Sequence, residues 1–250
     1  MSEQQRLIRC TSSTDRTQFV RNDELFSISS KLDFDGQEMG NEGIILLAKS
    51  LERNNVITEL NLNGNEISDE GIKILMGALK HNSTLIKLSL AYNEITEDGA
   101  IVLGEYLKYN SSLMKLDLTY NGIVEKGAIG LGEYLKYNSS LTKLNLTNNG
   151  IGDEGVIGLL DALKYNTTEL GGASLTELNL TNNEISDKGI NILMTALKHN
   201  STLTKLYLLY NEITAEGAIA VAEALQHNTT LTELNLAGNG IGGEGAKSLA

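Results

Sequence analysis

The 250-residue chain has no proline, no tryptophan, one cysteine and three histidines. Without proline, collagen and polyproline II linkers are excluded. Cys10 has no second thiol with which to form an intramolecular disulfide or a zinc cluster, so a reducing compartment fits best. The start, Met1 to Cys10, lacks the apolar core of an export signal. No apolar run reaches the roughly 18 residues that a membrane span requires. The expected location is the cytoplasm, or a host cytosol for a secreted effector. Positive charge is scarce: 20 Lys+Arg against 32 Asp+Glu give −12. Such a balance disfavours nucleic acid and anionic membrane as partners. All five arginines lie at or before Arg53, which removes the preferred bidentate reader of phosphate from the rest of the chain.

What is present is a repeat. Residues 103 to 113 recur unchanged at 131 to 141, an offset of 28, and residues 59 to 85 return at 177 to 203 with five differences. Seven copies of Leu-x-Leu-x-x-Asn begin at Leu60, Leu88, Leu116, Leu144, Leu178, Leu206 and Leu234. A degenerate eighth precedes them at Leu32-x-Phe34, with Gln37 in place of the asparagine, and the last copy reaches Ala250 inside its expected helix. Within each unit the apolar period changes from 2 to about 3.6, as in a strand followed by a helix. Leu60 and Leu62 face inward from the strand, and Ile72, Leu75 and Leu79 share one helix face. Ser68, Thr96, Ser186 and Thr214 are expected helix N-caps, followed by acids in the first turn. A single unit cannot offset the entropy of ordering its backbone, so the units must stack into an α/β solenoid, one parallel sheet backed by one layer of helices. The asparagine column is expected to satisfy backbone groups where each strand turns.

The string Leu85-x-x-Leu88-x-Leu90-x-x-Asn93-x-Ile95 and its 28-residue period resemble leucine-rich repeats of the ribonuclease-inhibitor type, found also in NOD-like receptors and Ran GTPase-activating protein. The resemblance covers residues 31 to 250. It implies an open horseshoe with strands on the concave side, helices on the convex side, and binding by the concave face and strand-end loops. Residues 1 to 30 are expected to form a tail, partly disordered, and a cap near Phe19 to Ile28. Six extra residues near 167 to 174 are expected to bulge from a helix-to-strand turn without interrupting the stack.

Catalytic, metal and cofactor residues are not identified. Gly150-x-Gly152-x-x-Gly155 and Gly238-x-Gly240-x-x-Gly243 match a nucleotide-binding pattern, but sister repeats fill the same loop with Glu66-x-Ser68-x-x-Gly71. His81, His199 and His227 occupy one column with Tyr109, Tyr137 and Tyr165 at helix C-termini, which points to capping rather than a triad or metal site. Tyr106 and Tyr134, with Gly104 and Gly132 two residues earlier, are expected to be packing substitutions. Eight Asn-x-Ser/Thr sequons fall at fixed repeat positions and are taken as by-products of the repeat.

Differences between repeats on a constant frame point to binding. Tyr207, Leu209 and Tyr210 are expected to form the densest exposed cluster, with Tyr92 and Tyr120 a second patch; the rings either anchor a partner or cover strand ends. The first strand positions read Lys31, Glu59, Lys87, Lys115, Lys143, Glu177, Lys205 and Glu233, and Lys87, Lys115 and Lys143 are candidates to meet an acidic partner. The expected function is a non-enzymatic protein-interaction module whose partner is another protein. The resemblance allows two alternatives: a GTPase-activating regulator acting on a small GTPase, and the sensor repeats of a NOD-like receptor.

Overall fold

The computed structural model describes residues 7–9, 29–164 and 175–250. Nine three-residue strands form one parallel sheet in chain order. They are β1 (Leu7–Arg9), β2 (Lys31–Asp33), β3 (Glu59–Asn61), β4 (Lys87–Ser89), β5 (Lys115–Asp117), β6 (Lys143–Asn145), β7 (Glu177–Asn179), β8 (Lys205–Tyr207) and β9 (Glu233–Asn235). From β2 on, each strand leads to a helix: α1 (Gly40–Leu51), α2 (Asp69–Leu79), α3 (Glu97–Tyr109), α4 (Val124–Leu135), α5 (Gly152–Lys164), α6 (Asp187–Leu197), α7 (Ala215–Leu225) and α8 (Gly242–Ser248). Strands pair equivalent residues, Leu60 with Leu88 and Leu116 with Leu144. Lys143 pairs with Glu177 across the insertion, so the sheet continues unbroken there. The loop itself, like the cap expected near Phe19 to Ile28, lies outside the described residues. Leu7–Arg9, in the expected tail, pairs in register with β2.

Leu60, Leu62, Ile67, Ile72, Leu75 and Leu79 are fully buried, as the two periodicities require, and their equivalents form one continuous core. The asparagine column ties each repeat to the one before it. Asn93 Oδ1 accepts from Asn65 N at 3.1 Å and Ile67 N at 3.0 Å, while its Nδ2 donates to Leu62 O, Leu90 O and Ala91 O. A second asparagine column does the same at the opposite end of the unit. Asn138 Oδ1 accepts from Ser140 N and Leu141 N, and its Nδ2 donates to Leu107 O at 2.6 Å, a carbonyl at the end of the preceding helix. Asn200 and Asn228 reach Leu163 O and Leu197 O in the same way. Asn82, Asn110, Asn138, Asn200 and Asn228 head five of the eight sequons, so in these the sequon is part of the frame rather than its by-product: in four of them the hydroxyl two residues on also bonds the preceding repeat, as Thr84 Oγ1 does with Ile57 O. His81, His199 and His227 are exposed and make no side-chain hydrogen bond among the described residues. The capping expected of the imidazoles is absent among these residues, and the asparagine that follows each one instead reaches a carbonyl of the preceding repeat.

Two of the four expected N-caps act on their own helices: Ser186 Oγ accepts from Lys188 N and Thr214 Oγ1 from Glu216 N. Ser68 and Thr96 make no such bond. At all four positions a short acid or amide from the preceding repeat also closes the helix start. Asp69 Oδ1 accepts from Thr96 N and Gly99 N, and its Oδ2 accepts from Thr96 Oγ1. Asp153 serves Ser186 and Gly189, Asp187 serves Thr214 and Gly217, and Asn41 bonds Ser68. In these repeats the first-turn glycine leaves room for this contact, since a Cβ on Gly99 would lie 2.4 Å from Asp69 Oδ1; in the others it leaves room for the apolar side chain four residues before, as at Gly155, where a Cβ would lie 2.5 Å from Ile151 Cγ2. Where Glu97, Glu125 or Ala215 occupies the donor repeat, the next helix begins at Val124, Gly152 or Gly242 with φ of 49°, 60° and 62°. There the backbone bonds differently: Val124 N donates to Asn149 O and Gly152 N to Asn183 O.

Helices α3, α4 and α5 approach one another at backbone distance. A methyl on Gly132 would lie 2.2 Å from the Gly158 carbonyl oxygen, and one on Gly130 would lie 2.4 Å from Ile101 Cγ1. Gly104 makes room for the Tyr134 ring, as expected of a packing substitution. Tyr106 is buried, with its hydroxyl accepting from Asn110 Nδ2; burial pushes its pKa up to about 12, and that hydrogen bond opposes the rise.

Candidate interaction surface

In β2 to β9 the central leucine points to the core, so the first and third residues form columns on the opposite face. In the first column every glutamate is taken by a neighbouring lysine: Lys31 with Glu59 at 2.6 Å, Lys143 with Glu177, and Lys205 with Glu233 at 2.6 Å. Two lysines remain. Lys87 and Lys115 are exposed, face each other in register, and carry no ion pair among the described residues. Lys143, expected to join them, is already neutralised by Glu177. A shallow depression of about 160 Å³ lies here, lined by Lys87, Lys115, Asp117, Lys143, Asn145 and Glu177 among others. Asp117 Oδ1 is bonded to Thr119 N and Thr119 Oγ1 rather than to a lysine. Ser89 and Ala91 on the same strand are buried and add no surface.

At the strand exits the chain turns left-handed at one position per repeat. Gly36, Gly64, Tyr92, Tyr120, Asn148, Asn182, Tyr210 and Gly238 all have φ between 51° and 73°. Glycine and asparagine adopt this conformation readily, whereas a bulky aromatic there is an outlier. The column extends side chains along the stack: Tyr92 and Tyr120 pack face to face, with centroids 4.7 Å apart at 12°, and the Asn148 and Asn182 amides bond each other. Tyr92 is 59% exposed and Tyr120 49%, so stacking leaves much of both rings open to solvent. The sequence marks the position by its alternation of glycine, asparagine and tyrosine, a signal seen only when the repeats are aligned column by column.

Tyr210 is 64% exposed, with its ring over Gly238, where a Cβ would meet Tyr210 Cδ1 at 2.4 Å. Tyr207 on β8 is half-buried and donates its hydroxyl to Glu233 Oε1 at 2.8 Å; Leu209 is also half-buried. The Glu233 carboxylate holds both Lys205 and Tyr207. The lysine bond, then the tyrosine bond, push its pKa below the ordinary carboxylate value, and the same contact raises that of Tyr207. Tyr207 is thus held by Glu233, whereas the stacked aromatic pair is Tyr92 with Tyr120.

The glycine-rich loops have structural causes. Gly150 and Gly152 have φ of 62° and 60°, and a Cβ on Gly155 would lie 2.5 Å from Ile151 Cγ2. Among the described residues, no group of three or more His, Cys, Asp or Glu side chains is placed to hold a metal, and no helix is long and apolar enough to cross a membrane.

A sequence profile of the family described as "Leucine Rich repeat" matches residues 53–76, 81–104, 109–132, 137–160, 173–191, 199–222 and 227–250. No curated protein matches the chain. A solved structure titled "Leiomodin-1 Actin-Binding Site 2 (ABS2)" is similar over 54% of this chain and 79% of its own, with 22% identity and a TM-score of 0.46.

Proposed function

Because the chain belongs to the leucine-rich repeat family, we propose that it is a non-enzymatic interaction module that holds a protein partner against its concave face and strand-exit loops. The observation that carries this reading is the stacked, solvent-facing pair Tyr92–Tyr120 on left-handed backbone. Glycine or asparagine fills most of that column and folds more comfortably, so the tyrosines are explained better by contact with another molecule than by stability. Tyr210 repeats the arrangement three repeats further on, beside Tyr207 and Leu209. The 28-residue period fits the ribonuclease-inhibitor type of repeat, and the single cysteine fits action in a cytosol.

The test is quantitative capture from lysate by the wild-type chain and two folded variants, Tyr92→Ser/Tyr120→Ser and Tyr207→Ser/Leu209→Ser/Tyr210→Ser. Loss of the same captured protein in at least one variant is expected. Capture unchanged in both, or no capture by the wild type, overturns the reading.

A further inference from the structure

The first strand column changes sign at most of its steps, and each Glu is matched to a Lys. The exception is the run Lys87, Lys115, Lys143, three cations on adjacent strands in register. Neighbouring strands lie about 4.8 Å apart, and like charges directly opposite one another destabilise a sheet. Glu177 relieves the run at Lys143. Neither Lys87 nor Lys115 makes an ion pair among the described residues: Glu59, the register partner of Lys87, is taken by Lys31, and Asp117 bonds Thr119. The same two repeats carry the stacked tyrosines, five residues beyond each lysine, at most about 16 Å away at the strand rise of about 3.3 Å per residue. Two features that each cost the fold stability thus coincide on two adjacent repeats out of eight.

Resting on the interaction-module reading above, we propose that Lys87 and Lys115 with Tyr92 and Tyr120 form a two-ended seat for an acidic segment of the partner protein. Carboxylates of the segment lie between the two ammonium groups, and an aromatic or large apolar residue about five positions away covers the open faces of the tyrosine stack. The partner acids complete the alternation that Glu59, Glu177 and Glu233 maintain elsewhere in the column. A stacked ring pair beside two lysines could also hold single-stranded nucleic acid. The absence of arginine after Arg53 removes the preferred bidentate reader of phosphate, and a net charge of −12 opposes a polyanionic strand more strongly than a segment with two or three carboxylates; both favour the acidic peptide.

The experiment pans a phage-displayed random peptide library on the full chain, then measures fluorescence anisotropy of the labelled winning peptide against variants. The winners are expected to carry at least two Asp or Glu and one aromatic or large apolar residue. Binding is expected to weaken about tenfold or more with K87E/K115E, with the milder K87Q/K115Q and with Tyr92→Asn/Tyr120→Asn, to weaken with added salt, and to be unchanged by Lys205→Gln. Circular dichroism melts establish that the variants fold. Winners without acids, acidic winners indifferent to both lysine variants, or tighter binding of a labelled oligothymidylate overturn the proposal. Peptide or lysate capture that persists in both lysine variants overturns this seat alone, whereas failure to recover any peptide or lysate partner sinks the interaction-module reading with it.

Discussion

At positions 92 and 120 a tyrosine side chain is attached to left-handed backbone, which costs on the order of 1 to 2 kcal/mol per residue before the stacking of the rings is counted. Asparagine occupies the same conformation at 148 and 182. Tyr92→Asn/Tyr120→Asn should therefore leave stability within about 1 kcal/mol of wild type, or raise it, while weakening partner binding. Urea unfolding checks the first half, and a loss well beyond that margin would show that the rings serve the fold. The sequence named these tyrosines as candidates because they vary on a constant frame, but not their strain or their stacking, since a positive φ leaves no mark on a single residue. It also grouped Lys143 with Lys87 and Lys115, because adjacency in a column does not reveal which cation has a carboxylate within reach. Glu233 provides a titration test. Its folded pKa lies below the ordinary value, so the stability it contributes is fully present above the ordinary carboxylate range and is lost as pH falls through the lowered value. A pH titration by NMR should show the Glu233 carboxylate titrating below a normal glutamate, with the Tyr207 ring resonances shifting in the same step. An ordinary midpoint would mean that Tyr207 and Lys205 do not hold it in solution.

Each helix start is built from two repeats. Hydroxyl residues at 68, 96, 186 and 214 follow Asn41, Asp69, Asp153 and Asp187, while left-handed starts at 124, 152 and 242 follow Glu97, Glu125 and Ala215. The short acid and the hydroxyl are thus one unit split across the repeat boundary. Asp187→Ala should cost about 1 to 2 kcal/mol, as loss of a helix cap does, because Thr214 N, Thr214 Oγ1 and Gly217 N all lose their acceptor. Glu97→Ala, on a half-exposed carboxylate that caps no helix and makes only a long surface ion pair with Lys126, should stay within about 0.5 kcal/mol. Equal effects in denaturant melts would show that the acids act only through the helix dipole. Strands and helices themselves were legible, because the switch of period from 2 to 3.6 is local. Cap partners were not, because Thr96 and Asp69 are neighbours only after the repeats stack. The second asparagine column was visible only as sequons, whose position beside each histidine drew the capping role onto the wrong side chain.

Across the whole array, the contacts that hold one unit belong largely to the next, as when Asn93 closes the turn at Asn65 and Asn138 closes α3. The final unit contributes such contacts, and its own core residues Leu234, Leu236 and Ile241 are only partly buried. Amide hydrogen exchange should therefore be slowest through β3 to β7 and fastest in β9 and α8, falling off by repeat rather than in one cooperative step. Uniform protection to Ser248 would contradict this. The backbone contacts among α3, α4 and α5 also act at this scale. Ordinary helices pack about 8 to 10 Å apart and strands about 4.8 Å, so a layer of helices behind a sheet acts as a row of wedges that bends the stack. Gly104, Gly130, Gly132 and Gly158 thin the wedges behind β4, β5 and β6. The bend is therefore expected to be smaller across β4 to β6 than where the helices stand further apart, which would give an incoming segment a flatter stretch to lie along.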